Sequence, residues 1–353
     1  MSLVSVIVPA HNAEATVAET IESALQQTHA DLEIIVVDDG SSDGTVALCN
    51  AYRARDTRIR VISTAQAGVA SARNTGIENA NGQFIAPLDA DDLWHPCKIE
   101  RQLACFACAS ADVALVYNWT RRIDMFGRVV QTEERNAIEA WCLHRLLRWN
   151  FVGNGSTPLI RRTALGDLRY NTMLRAADSE GCEDYLLELQ LAARGTFAFV
   201  PAFLTGYRLT EGSMSTNVES MIQSNIKVYQ LLAPSFPPET RRVVRRRLAD
   251  FHVWYLRTRL RRGNIGDAVR AAFTALRMDV GTAIGSGIEH ATLVMKSRMQ
   301  GSEKPIIDPR HFYAWGIEEG GQKWKLAGTR QLIELEQLDR NMNSLKSVFF
   351  TED

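Results

Sequence analysis

Short apolar runs rich in valine and isoleucine alternate with helical patterns through the N-terminal part of the chain. Uninterrupted runs of this kind are typical of parallel strands that are buried on both faces. Strand–helix–strand units are right-handed, and their helices cover the sheet. The alternation therefore predicts an α/β domain with a mostly parallel sheet and helices on both faces. The predicted strands are 3–8, 32–37, 58–63 and 83–88, and the predicted helices are 14–26, a helix ending near residue 54, and 68–80.

The pattern changes to helix beyond about residue 215. Before that point the sequence predicts a strand at 113–117, a weakly patterned stretch over 118–179, a helix at 183–193, and short strands at 196–200 and 202–207. Beyond it, helices are predicted at 219–232, 238–262, 264–278 and 328–349. We therefore expect an α/β domain of residues 1–215 followed by a helical C-terminal region of residues 216–353.

Polar clusters follow three of the predicted strands. Ala10-His11-Asn12 follows the first strand, Asp38-Asp39-Gly40-Ser41 the second, and Asp89-Ala90-Asp91-Asp92 the fourth. Ligands of parallel sheets bind at the carboxyl ends of the strands, so we expect a ligand site at this edge. No G-x-G-x-x-G follows the first strand, which argues against a dinucleotide site.

The acidic cluster places Asp89, Asp91 and Asp92 within four residues. Adjacent carboxylates repel one another, and a cation between them relieves that repulsion. Hard oxygen ligands suit Mg²⁺ or Mn²⁺, which often bind together with a diphosphate. The alternative interpretation is a solvated acidic turn, with Asp92 capping a helix that begins in the apolar-periodic run 93–103.

Composition excludes several classes of protein. The net charge of −1 gives no reason to expect a nucleic-acid partner. The six cysteines are scattered, which fits reduced thiols in the cytosol, and Cys105 and Cys108 have no second pair at zinc-finger spacing. No apolar run reaches the length of a membrane span, and the N-terminus lacks the basic start of a signal peptide. We expect a cytoplasmic protein, with peripheral attachment to the inner face of the membrane as a further option.

Four segments occur in an order that resembles the inverting glycosyltransferases of family 2. They are 4–12 (VSVIVPAHN), 37–45 (VDDGSSDGT), 67–76 (AGVASARNTG) and 89–92 (DADD), and Glu183-Asp184 and Tyr207-Arg208 match two later motifs. The resemblance covers residues 3–215 and implies a GT-A fold that binds a nucleotide-sugar donor. The helical third of the chain lies outside it.

The resemblance implies a base pocket at the ends of the first two strands. Backbone at Pro9, Ala10 and His11 would line this pocket, and Asp39 would accept the N3–H of uracil or a related base. Asp39 could alternatively cap the following helix, although Ser42 and Asp43 suit that position better.

A second group of residues is implied to bind the phosphates of the donor. Arg73, on a helix that follows Gly68, would contact nucleotide or phosphate, and its alternative role is a surface charge. Asp91 would ligate Mn²⁺ or Mg²⁺, while Asp89, beside Ala90, would contact ribose or assist the metal.

The later motifs are implied to supply the base and a phosphate contact. Asp184 would accept the proton of the acceptor hydroxyl, with Glu183 as its helper or as an acceptor contact. The alternative is a structural role, in which the negative charges of these two acids stabilise the N-terminus of a helix. Thr210 stands where much of the family has a histidine near the phosphates or metal, so the acidic cluster alone carries the metal prediction. Arg208 or Ser213 would then contact the phosphate in place of that histidine.

The predicted activity is transfer of one sugar, with a UDP-sugar favoured, to a glycan or a lipid-linked glycan in the synthesis of a surface polysaccharide or glycoconjugate. The Q-x-x-R-W motif of processive synthases is absent. A sugar nucleotidyltransferase is one alternative, although the loop after the first strand lacks the glycine-rich, basic sequence expected for it. A non-catalytic sugar-nucleotide or glycan-binding module is another, although such a module has no need of the acids present here.

Two helices of the C-terminal region suggest partners. The arginine-rich stretch 238–262 carries Val244, Leu248, Phe251 and Tyr255 on one face, which predicts either a bundle helix with a solvated basic face or contact with an anionic membrane. The stretch 328–349 has an apolar seam that predicts docking onto the chain's own domain or, alternatively, oligomerisation.

Overall fold

The computed structural model describes residues 2–134, 137–176, 181–210, 217–289, 311–314, 322–323 and 330–349. These residues form two compact units. The sheet unit holds the described residues up to 172, residues 184–210 and the three C-terminal segments from 311 onward. The helical unit holds residues 173–176, 181–183 and 217–289. The predicted domain boundary near residue 215 stays a prediction, and the last helix belongs to the sheet unit.

A single sheet of ten strands organises the described part of the sheet unit. Strands β1, β2, β3 and β4 are mutually parallel in the spatial order β3-β2-β1-β4, and antiparallel β8 joins β4 to β6. The strands are β1 Val4–Ala10, β2 Leu32–Asp39, β3 Ile59–Thr64, β4 Phe84–Pro87, β5 Leu93–Trp94, β6 Val113–Ile123, β7 Val129–Glu134, β8 Leu159–Arg161, β9 Thr196–Arg208 and β10 Gln322–Lys323.

Helices cover this sheet and build the second unit. In the sheet unit they are α1 Val17–Leu25, α2 Thr45–Arg53, α3 Val69–Glu78, α4 Lys98–Cys108, α5 Leu143–Arg148, α6 Arg162–Leu165, α8 Glu183–Arg194, whose first residue falls in the helical unit, and α13 Arg330–Phe349. In the helical unit they are α7 Met173–Ala176, α9 Val218–Leu232, α10 Pro238–Arg261, α11 Ile265–Met278 and α12 (residues 280–289).

The parallel strands are as buried as their apolar sequence requires. Every residue of β1 is buried, and Ile34, Val36 and Val37 of β2 are fully shielded from solvent. Helices on both faces favour apolar side chains, and the buried hydroxyl of Ser5 in β1 donates a hydrogen bond to Glu33 Oε1 of β2 at 2.6 Å. The α/β class with a mostly parallel sheet followed by helices is confirmed.

One long strand replaces the two short closing strands that the sequence predicts. Strand β9 passes through Pro201 and pairs in parallel with β6 along nearly its whole length. The register shifts where Val200 and Phe203 face Asn118 and Trp119. Proline has no N–H to donate, so a strand accommodates it at such an irregularity. The proline marks a bulge and not a strand end.

The last helix docks on the sheet unit through a buried acid. Asp339 on α13 is 1% exposed, and its Oδ1 accepts hydrogen bonds from the backbone N–H of His144 and from His144 Nδ1. Its Oδ2 accepts a hydrogen bond from Arg145 Nε at 2.7 Å. Leu335 and Met342 of the predicted seam are buried on the same helix. This is the docked alternative for α13, and oligomerisation through 328–349 stays a prediction.

Replacing Asp339 with alanine is expected to lower the free energy of unfolding by about 3 kcal/mol, because the charged partner of Arg145 and the cap of α5 are both lost in a buried site. Urea unfolding of the full chain measures the change. Arg340→Ala, an exposed neighbour on the same helix, serves as the control. Equal losses for the two variants would contradict the anchoring role of Asp339.

The apolar face predicted for the basic helix is used inside the helical unit. Val244, Leu248 and Phe251 of α10 are buried, and the Phe251 ring packs 5.7 Å from the ring of Tyr229 on α9. Three of the four residues of that face are therefore covered by protein, while Tyr255 is half-exposed, and membrane contact through 238–262 stays a prediction. Among the described residues, no helix combines the length and apolarity needed to cross a bilayer.

Candidate active site

The ends of β1 and β2 place a carboxylate in a backbone cradle. Pro9 and Ala10 pair with Val37 and Asp38, so both strands end at the same edge. The Asp39 side chain is 4% exposed, and its two oxygens accept hydrogen bonds from the N–H groups of Ala67 and Gly68, each at 2.7 Å. Gly68 has a φ of 93°, a conformation that favours glycine. The cradle fixes the Asp39 carboxylate at the end of β2, and its predicted contact with a base stays a prediction.

His11 is exposed and lies at the ends of β1 and β2. Its Nδ1 lies 2.9 Å from the carbonyl oxygen of Asp39, which can only accept, so Nδ1 carries the proton. Nε2 then accepts hydrogen bonds from the side-chain amides of Gln66 at 3.1 Å and Asn12 at 3.3 Å. These contacts hold the His11 side chain at the ends of β1 and β2.

An ion pair lies beside the acidic loop. The Arg73 guanidinium donates to Asp89 Oδ1 at 2.5 Å and lies over the ring of Tyr170, 5.1 Å from its centroid. Arg73 is 3% exposed, so it is not a surface charge. A Cβ at Gly155 would stand 3.0 Å from Arg73 and 3.4 Å from Asp89, so only glycine lets this backbone pass without a shift. Arg73 therefore lies beside the acidic loop, and its predicted contact with nucleotide or phosphate stays a prediction.

Asp91 carries unfavourable negative charge. Burial raises the pKa of its carboxyl to about 6, and repulsion from Asp89 adds to the effect, while Arg208 and Arg73 oppose it. A carboxylate in this state gains more from a bound cation than an exposed one does. The neighbouring Ala90 is buried, and its carbonyl oxygen accepts hydrogen bonds from the hydroxyls of Thr16 and Thr20.

Asp92 does not cap a helix, contrary to one interpretation of the sequence. It is followed by strand β5, and α4 begins only at Lys98, because Leu93 and Trp94 pair with β9. Its Oδ2 accepts hydrogen bonds from Ser156 Oγ at 2.6 Å and Asn154 Nδ2 at 2.5 Å, and its Oδ1 from the N–H of Arg208 at 2.9 Å. Burial, with Asp91 and Asp89 nearby, raises the pKa of Asp92 well above its usual range. Asp92 is a structural tie between loops.

Arg208 is also buried, with its side chain 0% exposed. Its Nε donates to the carbonyl oxygen of Asp91 at 2.6 Å, and its other nitrogens donate to the carbonyls of 124–125 and to Glu19 Oε2 at 2.6 Å. Glu19 in turn lies 3.0 Å from Nε2 of His311. In this arrangement Arg208 positions the acidic loop, and its predicted phosphate contact stays a prediction.

The two acids predicted for catalysis open helix α8. Glu183 is 4% exposed and accepts a hydrogen bond from the N–H of Gly181 at 3.0 Å. Asp184 is half-buried, and its Oδ1 accepts from the N–H of Tyr185 at 2.7 Å. The hydroxyl of Tyr185 donates to the carbonyl oxygen of Leu146 at 2.7 Å, which anchors this turn to α5.

Tyr170 is a buried residue whose ring lies against Arg73. Burial raises the pKa of its phenol well above the usual range; Arg73 opposes the shift, and the Asp184 and Asp89 carboxylates add to it. The Asn74 side chain accepts from the N–H of Tyr170 and donates to its carbonyl oxygen, both at 2.8 Å. The helix that carries Arg73 thus also fixes Tyr170.

Several supporting residues escaped the sequence analysis. Ser156 accepts from the N–H of Asp89 at 3.0 Å while donating to Asp92, and Tyr170 had no motif around it. The glycines of 153–156 predict a turn. Its function in holding Asp89 and Asp92 becomes clear only from the contacts of Ser156 in the structure. Ser213 lies outside the described residues, so its predicted phosphate contact stays a prediction.

The donor set fits a divalent cation only together with a ligand. Among the residues that the structure describes, no group of three or more His, Cys, Asp or Glu side chains converges on a metal position. Asp91, with Asp89 beside it, offers one or two carboxylates. Mg²⁺ commonly takes one or two protein carboxylates and completes its shell with substrate phosphates and water. Asp91 and Asp89 would hold such an ion.

Solved structures identify the fold. The mannosyltransferase PcManGT from Pyrobaculum calidifontis, in complex with GDP-Man and Mn²⁺, resembles this chain with a TM-score of 0.57 and 18% identity, over 84% of this chain and 81% of that one. Staphylococcus aureus TarS 1–349 in complex with UDP gives a TM-score of 0.50 at 17% identity, over 91% of this chain and 100% of that one. The sheet unit has the GT-A architecture, as predicted.

Sequence relatives then identify the family. The family model "Glycosyl transferase family 2" matches residues 5–169. The Escherichia coli UDP-Glc:alpha-D-GlcNAc-diphosphoundecaprenol beta-1,3-glucosyltransferase WfgD is 45% identical over 221 residues, which are 61% of this chain and 80% of that protein. An uncharacterized glycosyltransferase of Rickettsia felis is 30% identical over 65% of this chain, and the match spans only 37% of that relative's length. The chain belongs to glycosyl transferase family 2.

Proposed function

We propose that this protein transfers a single sugar, with inversion, from a nucleotide sugar to a hydroxyl group of a glycan or lipid-linked glycan. The observation that carries the proposal is the buried Arg73, which binds Asp89 of the acidic loop and lies over Tyr170. A binding module needs the pocket but not a carboxylate at the start of α8. A nucleotidyltransferase needs a phosphate-binding loop after β1, where this chain has Pro9-Ala10-His11-Asn12.

The displacement that we propose uses few groups. The acceptor oxygen attacks the anomeric carbon from the face opposite the diphosphate, and the bond from that carbon to the phosphate oxygen breaks. The electron pair leaves with the nucleoside diphosphate, and the hydroxyl proton passes to the Asp184 carboxylate. Mn²⁺ or Mg²⁺, when bound, would supply positive charge beside the leaving group. Arg73 keeps Asp89 in place, and Arg208 and Asp92 hold the loop that carries Asp91.

The favoured donor is a UDP-sugar, and the favoured acceptor is a lipid-linked glycan. Support comes from the printed activity of WfgD, whose donor is UDP-Glc and whose acceptor is a diphosphoundecaprenol-linked sugar. Staphylococcus aureus TarS 1–349 binds UDP within the same fold. The Asp39 cradle leaves the remaining lone pairs of its oxygens for a base N–H. We place the reaction in the cytoplasm, consistent with six cysteines that all lie in the described part of the chain and form no disulfide.

Incubation of the full chain with a panel of nucleotide sugars and lipid-linked or glycan acceptors tests the function. Mass spectrometry should show an acceptor that is heavier by one sugar residue, with a UDP-sugar as donor. Release of free sugar alone, or product formed by an Asp184→Asn variant at the wild-type rate, would contradict the proposal.

Replacing Asp39 with alanine is expected to weaken UDP binding by about 1–3 kcal/mol, because a buried acceptor is lost and the N–H groups of Ala67 and Gly68 lose their partner. Calorimetry with UDP measures the change. Asp56→Ala makes the same chemical change at a carboxylate bound to Arg58 and should leave binding unchanged. Identical UDP affinity for the Asp39 variant and wild type would remove Asp39 from the base pocket.

A further inference from the structure

The helical unit turns large apolar side chains outward on two consecutive helices. Residues spaced four apart within α11 and within α12 are 47–68% exposed, and we call them the outer stripe: Ile265, Val269 and Phe273 on α11, and Val280, Ile284 and Ile288 on α12. Such spacing keeps side chains on one side of a helix. Monomeric proteins rarely expose contiguous apolar patches beyond a few hundred Å².

The buried faces of α11 and α12 explain why their large apolar side chains point to solvent. Ala268, Ala271 and Ala275 are the buried residues of α11, and Ala275 and Ala283 pack on Val253 of α10. Small side chains bring helices close together, but they leave the large ones pointing away. Because α11 and α12 both contact α10 through alanine, the outer stripe faces away from α10 on both helices.

Basic side chains accompany the stripe. The segment 238–289 contains eleven arginines against five acids, a net charge of +6 in a chain whose total is −1. Arg270 and Arg277 on α11 and Arg261 on α10 are exposed. Exposed apolar side chains flanked by arginine are the features by which a helix lies in the headgroup region of an anionic membrane.

We propose that the outer stripe and its flanking arginines bind the surface of an anionic lipid bilayer. A second copy of the chain would bring two faces of like charge together, which disfavours it as the occupant. This surface differs from the apolar face of α10, which is covered by α9. The binding itself does not depend on the proposed lipid-linked acceptor, because the contact is with lipid headgroups and acyl chains. Its purpose, which is to bring the enzyme to that acceptor, rests on the proposed function.

Flotation of the full-length protein with phosphatidylcholine vesicles, with and without phosphatidylglycerol, tests the proposal in the absence of donor and acceptor. The wild type should float with the anionic vesicles and be released by high salt, because screening weakens the arginine contribution. Phe273→Ser should lower the partition coefficient about tenfold, and Arg270→Gln with Arg277→Gln should lower it on anionic vesicles only. Ile333→Ser on α13, where the native side chain is 65% exposed, is the matched control and should bind as wild type.

Three results would overturn the proposal. They are equal flotation of wild type and Phe273→Ser, flotation that does not depend on phosphatidylglycerol, and loss of a dimer in sedimentation by Phe273→Ser without a change in flotation. A marked fall in thermal stability of Phe273→Ser would also count against it, because a side chain that is exposed in the free protein contributes little to folding. If membrane binding is not found, sugar transfer to a water-soluble acceptor would still test the proposed function separately.

Discussion

Replacing Asp184 with asparagine is expected to reduce the turnover number about 10²–10⁴-fold while donor affinity stays near that of the wild type. Asparagine keeps the shape of the side chain and the hydrogen bond from the N–H of Tyr185, but it cannot take the proton of the acceptor hydroxyl. Initial rates of sugar transfer and calorimetry with the nucleoside diphosphate measure the two quantities separately.

Asp167→Asn is the matched control for this experiment. Asp167 carries an 83% exposed carboxylate paired with Arg194 and has no place in the proposed site, so its replacement should leave turnover unchanged. A variant at Asp184 that keeps its turnover but loses donor affinity would move this residue from proton transfer to donor binding.

Replacing Asp91 with alanine is expected to lower the metal-dependent affinity for a nucleoside diphosphate by more than about a hundredfold. Residues that only support a metal ligand already cost about 10–100-fold when replaced, and Asp91 would be a direct ligand. Calorimetry of UDP in the presence and absence of Mn²⁺ measures the loss. Asp31→Ala, a carboxylate outside the site, should bind as wild type.

The pH dependence of donor binding provides a second test of Asp91. Its carboxyl is charged above its pKa of about 6 and protonated below it, and only the charged form can bind a cation. Metal-dependent affinity should therefore fall as the pH is lowered through about 6. The same affinity for wild type and Asp91→Ala with Mn²⁺ would exclude Asp91 as a ligand.

Local sequence was sufficient for the framework of the site. Strands β2 and β4 are mostly apolar and parallel to β1, so Asp39 at the end of β2 and Asp91 in the loop after β4 could be placed at the same edge of the sheet from sequence. The roles of Asp92 and Ser156 could not, because the contact between them joins residues 64 positions apart. The same holds for Asp339, whose partners lie 194 and 195 positions away.

Periodicity also failed to say which apolar faces are covered. In α10 the pattern located the apolar face correctly, but only the structure shows that α9 covers it. In α11 the alanines that pack inward are less apolar than the Phe273 that points outward. A pattern indicates where apolar side chains lie on a helix but not which residues they contact. The exposure of the outer stripe therefore follows only from the packing of α10, α11 and α12 in the structure.

The anomeric configuration of the product tests the central claim most directly, since a displacement assisted by one base must invert the anomeric carbon. Proton NMR of the purified product, formed by the full-length enzyme from a UDP-sugar of known configuration, measures it. The proposed mechanism predicts a configuration opposite to that of the donor. A product that retains the donor configuration would contradict direct displacement and the assignment of Asp184 as the base.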